Sequence, residues 1–322
     1  MSAAIKRFLC CCLALMATAN VSAADPFPNR PIRIIIPFAP GGLIDVNTRW
    51  VAERMANRLG QPVIVENRPG GEGLIGIRAA KSAPADGYTL LAVSSAFSQA
   101  LALKQEPGYE AKDFVAVGGT SDAPMLMVGP VSQPDTTLAQ LLARAKANPE
   151  TVSFGSGGIG TATWLTATLM AHTAGVKLLH VPYKGSAVAR PDLLAGRLNL
   201  MFDTPGSLLP HVRDGQLRIF GVSTATRLST LPDIPTLAEQ GVTNFSYTVY
   251  VGLLAPAGTP KDVVNRLDQT LRAVVSSDAY RERCRADGCE PTPASAEQFA
   301  DRIRQDTQKV AKLLSDLKQP KQ

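Results

Sequence analysis

Two glycine-rich turns are the parts of this sequence best suited to binding chemistry. Residues 155–160 read Gly-Ser-Gly-Gly-Ile-Gly and stand between a predicted strand at 152–154 and a predicted helix at 161–173. The first backbone N–H groups of a helix have no partner within it, and they bind anions. A dinucleotide site of this pattern also needs an acidic residue at the end of the next strand. That strand ends in Pro182-Tyr183-Lys184, so we expect a smaller anion, such as a carboxylate.

The other turn is Gly41-Gly42-x-x-Asp45, which follows a β-branched run at 32–38. Such a run is typical of a buried strand, and open α/β sheets bind ligands at the carboxyl ends of their strands. Asp45 is predicted to be the N-cap of a helix that stops at Gly60. A plain tight turn with a capping aspartate is the alternative. A ligand held between two anion-binding turns accounts for both.

Patterns for catalysis and metal binding are missing from the sequence. None of the three histidines, His172, His180 and His211, shows metal-ligand spacing with a cysteine or a carboxylate. There is no G-x-S-x-G motif and no recognisable pair of carboxylates. We therefore predict a protein that is not an enzyme and uses no metal or cofactor. Asp203, at the end of a predicted strand, could either line a cleft or cap the next turn.

The N-terminus is typical of a cleavable signal peptide. Lys6 and Arg7 precede an apolar run at 8–17, which is too short to span a bilayer. Small residues place the cleavage after Ala23 or Ala24; a short membrane anchor is the alternative. We expect residues 1–24 to be removed and the mature protein to be periplasmic.

Composition and the order of elements predict an α/β protein of two domains. Apolar residues make up 45% of the chain and charged residues 19%, which describes an ordinary globular protein. The net charge of +6 comes from scattered basic residues, whereas a nucleic-acid-binding protein would cluster them. We expect that the protein binds no nucleic acid and that it is a monomer. Strands alternate with helices, which predicts mostly parallel sheets. Crossings between domains are predicted near 124–129 and 247–254.

Several motifs, in the same order along the chain, resemble those of the Bug family, the periplasmic solute-binding proteins of tripartite tricarboxylate transporters. The opening motif runs from Pro31 to Asp45. The further blocks are Glu66-Asn67-Arg68-Pro69-Gly70-Gly71, Asp86-Gly87-Tyr88-Thr89-Leu90, His180-Val181-Pro182-Tyr183-Lys184-Gly185, Leu231-Pro232-Asp233-Ile234-Pro235-Thr236 and Ala255-Pro256-Ala257-Gly258-Thr259-Pro260. They cover nearly the whole chain after the predicted signal peptide.

The resemblance implies a two-domain periplasmic-binding-protein (Venus flytrap) fold with a double crossover hinge. The implied domains are 25–126 with 250–322, which return to the first domain, and 127–249. It also implies a small organic carboxylate bound by both turns and delivered to membrane transporter subunits. A ligand-presenting partner of a membrane sensor and an exported enzyme acting on a carboxylate are the alternatives. The expected ligand-binding residues are Phe38, Ala39, Gly41, Gly42, Ile44, Asp45, Ser94, Ser95, Gly157, Gly158, Gly160, Thr161, Trp164 and Asp203.

Two departures from the family pattern bear on the ligand. The family often has two threonines after the double glycine, where this chain has Leu43-Ile44, and often histidine at the position of Trp164. These apolar side chains predict a carboxylate with an aromatic or extended apolar body. The alternative is that they pack into their own domains.

Cys284 and Cys289 are the two cysteines that follow the predicted signal peptide. Gly288 is well placed as the left-handed residue just past a helix, which makes Cys284 and Cys289 the contacting pair of a Schellman ending. Neighbouring thiols in an oxidising compartment tend to form a disulfide. We predict this disulfide, with two reduced thiols as the alternative.

Overall fold

The computed structural model describes residues 27–317, and the predicted signal peptide, 1–24, lies outside the described residues. Two β-sheets organise the described chain. The first has six strands in the order β11-β4-β10-β3-β1-β2. Their bounds are β1 (Ile32–Ile36), β2 (Val63–Asn67), β3 (Thr89–Ser94), β4 (Phe114–Pro124), β10 (Thr248–Pro256) and β11 (Glu290–Ala294). Four of the five residues of β1 are fully buried, as its isoleucine-rich sequence predicts.

The second sheet has five strands in the order β7-β6-β8-β5-β9. Their bounds are β5 (Leu126–Pro130), β6 (Ser153–Ser156), β7 (Leu179–Pro182), β8 (Leu200–Asp203) and β9 (Leu217–Val222).

Both sheets are mixed, which corrects the prediction of mostly parallel sheets. In the first sheet β1 is parallel to β2 and β3, but β10 runs antiparallel to β3 and β4. In the second, β6 is parallel to β7 and β8, whereas β5 runs antiparallel to β8 and β9. The antiparallel strands β4, β5 and β10 adjoin the crossings between the sheets. The alternation of strands and helices therefore predicted the parallel strand pairs. It did not predict the antiparallel strands next to the two crossings.

Ten α-helices connect the strands of the described chain and cover the sheets. Their bounds are α1 (Leu43–Leu59), α2 (Leu74–Lys81), α3 (Ala96–Leu103), α4 (Leu138–Ala147), α5 (Ala162–Ala174), α6 (Ser186–Leu194), α7 (Pro205–Arg213), α8 (Lys261–Val275), α9 (Asp278–Asp287) and α10 (Ala296–Asp316). No helix within residues 27–317 combines the length and apolar character needed to cross a membrane.

The chain crosses between the two sheets twice. Pro124 ends β4 in the first sheet and Leu126 begins β5 in the second; the return path leads from β9 to β10. Buried Ser223 joins the two crossings. Its hydroxyl accepts from the Met125 N–H at 2.9 Å and donates to the Tyr247 carbonyl at 2.6 Å. The two-domain periplasmic-binding-protein fold is thus present, while the exact domain limits, 25–126, 127–249 and 250–322, remain a prediction.

Helix α10 packs against both units. Phe299 and Ile303 lie in the core of the first sheet, and Val310, Leu313 and Leu314 in the core of the second. The sequence predicts that the C-terminal helices return to pack on the first domain. The contact of α10 with the second unit is an addition to that prediction, because its apolar residues recur along the full length of a helix long enough to reach both cores.

The end of α9 has the geometry predicted for the cysteine pair. Gly288 is left-handed, with φ of 73°, and the Cys289 N–H donates to the Cys284 carbonyl at 2.9 Å. Both cysteines are buried free thiols whose Sγ atoms lie 2.6 Å apart. The helix ending is confirmed, and the disulfide stays a prediction.

Candidate ligand cleft

A cavity of about 630 Å³ lies where the two units meet. We call it the cleft. Its walls come from the segment after β1, the end of β3 with α3, the turn before α5, and β10. The lining residues are Phe38, Ala39, Gly42, Ile44, Ser94, Ser95, Ala96, Gln99, Ala100, Leu103, Lys104, Gly157, Ile159, Gly160, Thr161, Ala162, Val249 and Val251. The glycine turns of both units therefore open onto one space.

Asp45 shapes the first turn from inside α1. Its carboxylate accepts hydrogen bonds from the Gly41 N–H at 2.9 Å, from Asn67 Nδ2 at 2.9 Å and from Arg49 Nε at 3.1 Å. Burial opposes ionisation, but these hydrogen bonds outweigh it and lower the pKa of Asp45. The carboxylate is thus held charged and fully engaged within the protein. It builds the turn and does not line the cleft.

Helix α1 begins three residues earlier than predicted, and its N-cap is Gly42. This corrects the assignment of Asp45 as the N-cap. Gly42 has no side chain to accept from the first turn, whereas Thr137, Thr161, Ser277 and Ser295 cap their helices with side-chain oxygens. Among the described residues, the N–H groups of Gly42 and Ile44 make no hydrogen bond of ordinary geometry. The helix therefore presents unpaired donors to the cleft.

The second turn is held by a chain of hydrogen bonds beneath it. The Gly158 N–H donates to Ser156 Oγ at 3.0 Å, and Ser156 Oγ lies 2.7 Å from His180 Nε2. Burial lowers the pKa of His180. A neutral His180 with an unprotonated Nε2 accepts a hydrogen bond from the Ser156 hydroxyl, and the Ser156 oxygen in turn accepts one from the Gly158 N–H.

Some N–H donors of the second turn are used internally, and others are unpaired on residues that line the cleft. The Gly157 N–H donates to Thr163 Oγ1 at 2.9 Å, and the Thr161 side chain caps α5. Within residues 27–317, the N–H groups of Gly160 and Ala162 have no hydrogen-bond partner. Gly160 has φ of 83°, a conformation that glycine adopts without strain. The Gly160 and Ala162 N–H groups of the second turn therefore correspond to the unpaired Gly42 and Ile44 N–H groups of the first.

Ser156 and His180 lie within hydrogen-bond distance, as a nucleophile and its base would. Ser156 has no exposed surface, and neither residue lines the cleft. His180 stacks on Phe154 with ring centroids 4.8 Å apart. The pair is therefore a support for the second turn and has no access to a substrate.

Helix α3 forms a wall between the two turns. Ser94 and Ser95, which precede this helix, were predicted as binding residues, but no residue within the helix was. Ser95, Gln99 and Leu103 recur every four residues and line the cleft, which is one face of a helix. A side chain placed at Gly160 would begin 3.5 Å from Leu103 Cδ1. Gln99 and Lys104 add an amide and a cation to this wall.

Nine of the expected binding residues line the cleft: Phe38, Ala39, Gly42, Ile44, Ser94, Ser95, Gly157, Gly160 and Thr161. Gly41, Asp45 and Gly158 lie in the turns and shape them through the contacts above. Gly41 and Gly158 have φ of 89° and 111°, while Gly42 has an ordinary φ of −80°.

Trp164 and Asp203 differ from the expectation. Trp164 is 2% exposed and lies in the core of the second unit, because its position on α5 faces the sheet. Asp203 accepts from the Thr204 N–H at 2.8 Å and lies 3.5 Å from Arg190. The aspartate thus bonds to the N–H of the next residue and pairs with a cation, and it neither caps α7 nor lines the cleft. Among the described residues, no group of three or more His, Cys, Asp or Glu is placed to hold a metal ion.

Comparison with known proteins identifies the relatives of this chain. The profile of the tripartite tricarboxylate transporter family receptor, TctC, matches residues 47–318. The chain belongs to this receptor family. Protein BugT of Bordetella pertussis is 34% identical to the receptor over 302 residues, which is 92% of this chain and 93% of that protein.

Two solved structures resemble the receptor in sequence and fold. The periplasmic binding protein BugD is 34% identical, covers 92% of this chain and 100% of its own, and superposes with a TM-score of 0.75. The R. palustris protein Rpa4515, solved with adipate, is 30% identical to this chain. The match covers 90% of this chain and 97% of Rpa4515, with a TM-score of 0.76. The resemblance to the Bug family is confirmed. Members of this family are solute-binding receptors and not enzymes.

Proposed function

We propose that the receptor binds a small organic carboxylate in the cleft and delivers it to the membrane subunits of a tripartite transporter. The observation that carries this proposal is the pair of glycine turns whose unpaired N–H groups open onto one cavity from two units. Such groups favour an anion at a helix start. The ligand joins the two units and selects their closed arrangement, because only that arrangement lets both turns contact it.

The affinity of such a site is supplied by several kinds of contact. Two helix N-termini contribute about 0.3–2 kcal/mol each, whereas micromolar binding needs about 8 kcal/mol. Hydrogen bonds from the turns to a charged carboxylate add about 1.5–3 kcal/mol apiece. Burial of the rest of the ligand supplies the remainder. Because burial must supply part of the free energy of binding, a ligand with an apolar body is favoured.

The wall of the cleft supports an acid with an extended apolar body. Phe38, Ile44 and Leu103 line it together with Ile159 and Val249. Of the residues at which this chain departs from the family pattern, Ile44 lines the cleft. The side chain of Leu43 is outside what the structure describes, and Trp164 is in the core. The adipate bound to the relative Rpa4515 is an acid of this kind.

The periplasm is the compartment in which the receptor would work. Its relative BugD is a periplasmic binding protein, and residues 1–24 carry the predicted signal peptide. Removal of the receptor from its host should therefore reduce uptake of the acid that it binds, when uptake of the labelled acid is measured in whole cells.

A ligand screen of the mature receptor tests the proposal. Adipate, malate, benzoate and 4-hydroxyphenylacetate are compared by thermal shift, and each acid that raises the melting temperature is then titrated calorimetrically. The uncharged diamide of adipic acid is the matched control for the carboxylates. We expect at least one acid, and not the diamide, to stabilise the receptor. Equal binding of acid and amide, or binding of no acid, would contradict the proposal.

A further inference from the structure

Ser95 is the N-cap residue of α3, yet its side chain does not cap the helix. A serine at this position usually accepts a hydrogen bond from an N–H of the first turn. Here Ser95 Oγ instead accepts from Gln99 Nε2 and from the Tyr247 hydroxyl, each at 3.3 Å. The Gln99 Nε2 also donates to the Tyr247 hydroxyl oxygen at 2.5 Å. Three buried side chains therefore form a closed triangle beside the cleft.

The direction of each hydrogen bond in this triangle is determined by the chemistry of its members. An amide nitrogen only donates, so Gln99 provides both of its protons. The Tyr247 hydroxyl oxygen accepts one of these hydrogen bonds, and its O–H donates a hydrogen bond to Ser95 Oγ. Ser95 Oγ then accepts two hydrogen bonds and keeps its single proton for a third group. Ser95 lines the cleft, so that proton is available to a ligand oxygen.

Tyr247 also belongs to the crossing between the two sheets. Its N–H donates to the Ser223 carbonyl at 2.8 Å, and its carbonyl accepts from Ser223 Oγ. Ser223 in turn holds Met125 of the other crossing. Burial raises the pKa of Tyr247, so the phenol keeps its proton. Tyr247 thus connects the crossings between the two sheets, which form the hinge, to the Ser95 hydroxyl at the cleft.

We propose that Tyr247 is a positioning residue for ligand recognition: it orients the Ser95 hydroxyl so that this hydroxyl donates to the bound carboxylate. This inference rests on the proposed function, since it presumes a carboxylate in the cleft. Hydrogen bonds in such a chain polarise one another, and the donor at its end is strengthened. Because Tyr247 belongs to the hinge, the strength of that donor depends on the arrangement of the two units.

Tyr250 provides a matched control for Tyr247. Both tyrosines are buried, both adjoin or lie in β10, and each hydroxyl donates to a serine of the same segment. Tyr250 donates to Ser98 at 2.9 Å, and Ser98 hydrogen-bonds to Asp306. None of these three residues lines the cleft. Replacement of Tyr250 by phenylalanine therefore removes a similar buried hydrogen bond without touching the ligand site.

A double-mutant cycle on the mature receptor tests the inference. Tyr247→Phe, Ser95→Ala and the double variant are titrated calorimetrically with adipate, or with whichever of malate, benzoate and 4-hydroxyphenylacetate binds the wild type most tightly. We expect Ser95→Ala to weaken binding at least about tenfold and Tyr247→Phe about three- to tenfold. The double variant should bind no more weakly than Ser95→Ala alone, because the two residues act through one hydroxyl. Tyr250→Phe should stay within about twofold of the wild type.

The outcomes separate this inference from the proposed function. If no acid binds the wild type, the proposed function fails, and this inference fails with it. If an acid binds the wild type but Tyr247→Phe binds it equally well, or the losses in the double variant add, only the positioning role is overturned. Should Tyr247→Phe fail to fold, 3-fluorotyrosine at position 247 replaces it, because its hydroxyl is a stronger donor. The fluorinated receptor should then bind more tightly, and unchanged affinity would overturn the role.

Discussion

Asp45 Oδ2 accepts a hydrogen bond from the Gly41 N–H at 2.9 Å, so that a residue inside α1 closes the turn that precedes the helix. The aspartate does not line the cleft. Its effect on the ligand is indirect, through the shape of the turn that carries the Gly42 and Ile44 N–H groups.

Replacement of Asp45 by alanine should therefore impair both the fold and the binding. Loss of hydrogen bonds to a charged group should lower the free energy of unfolding by about 1.5–3 kcal/mol, measured by urea denaturation. The disordered turn should weaken carboxylate binding at least about tenfold. Asp45→Asn keeps an acceptor oxygen and should recover part of the affinity. Full affinity of Asp45→Ala for the acid would show that the turn forms without it.

Gly42 can be tested for steric access to the cleft. Its φ of −80° suits any residue, and a Cβ there would meet no atom within 4 Å. Gly42→Leu should therefore leave the melting temperature nearly unchanged, while the side chain occupies the ligand's space and weakens binding at least about tenfold. Gly206→Leu is the control, because Gly206 also has open space and does not line the cleft. Normal binding by Gly42→Leu would exclude Gly42 from the ligand site.

Gly160 should behave differently from Gly42, because its φ of 83° is left-handed. Gly160→Ala should lower the free energy of unfolding by about 1–2 kcal/mol in addition to weakening ligand binding. Chemical denaturation measures the first effect and calorimetric titration the second. A variant as stable as the wild type would mean that the turn relaxes out of this conformation.

Trp164 and Ile44 separate packing from ligand contact. Trp164→Phe should lower the free energy of unfolding by about 1–3 kcal/mol, because it leaves space in the core, and should leave the affinity unchanged. Ile44→Ser should weaken binding of adipate more than binding of malate, since adipate has the longer apolar chain to bury. Both variants are compared by denaturation and titration. Equal losses for the two acids would show that Ile44 does not contact the apolar chain.

His180 should make the stability of the receptor depend on pH. Burial lowers the pKa of His180 in the folded protein, so the unfolded chain binds its proton more readily. The stabilisation is complete above the unfolded pKa of about 6.5 and is lost as pH falls towards the folded value. Melting temperatures measured from pH 7.5 to 5.5 should therefore decline less in His180→Gln than in the wild type. His211→Gln is the control variant, at a histidine that lies outside the second turn and hydrogen-bonds to Gln216. An identical pH profile for His180→Gln would contradict this.

Cys284 and Cys289 should form a disulfide in protein taken from the periplasm. Their side chains already meet at the end of α9, and the compartment is oxidising. A loop this short should contribute only about 2 kcal/mol, so reduction should lower the melting temperature slightly without impairing ligand binding. Mass spectrometry of unreduced, alkylated protein measures the state of the pair. Two alkylated thiols in freshly purified material would show that the pair stays reduced.

The sequence by itself determined the local parts of this protein. The isoleucine run predicted β1, Gly60 and Gly288 predicted helix endings, and the glycine turns predicted both ends of the cleft. Each of these depends on the conformational preferences of neighbouring residues, which a short segment already contains.

The tertiary structure decided which residues share the cleft and which only support it. Tyr247 reaches Ser95 across 152 positions of sequence, and no local pattern encodes such a contact. Trp164 and Asp203 lie at positions in the sequence that are plausible for ligand contact. In the packed second unit, however, Trp164 lies in the core and Asp203 pairs with Arg190. The antiparallel strands at the crossings escaped prediction for the same reason, because strand direction depends on how distant segments meet and local periodicity does not contain that information.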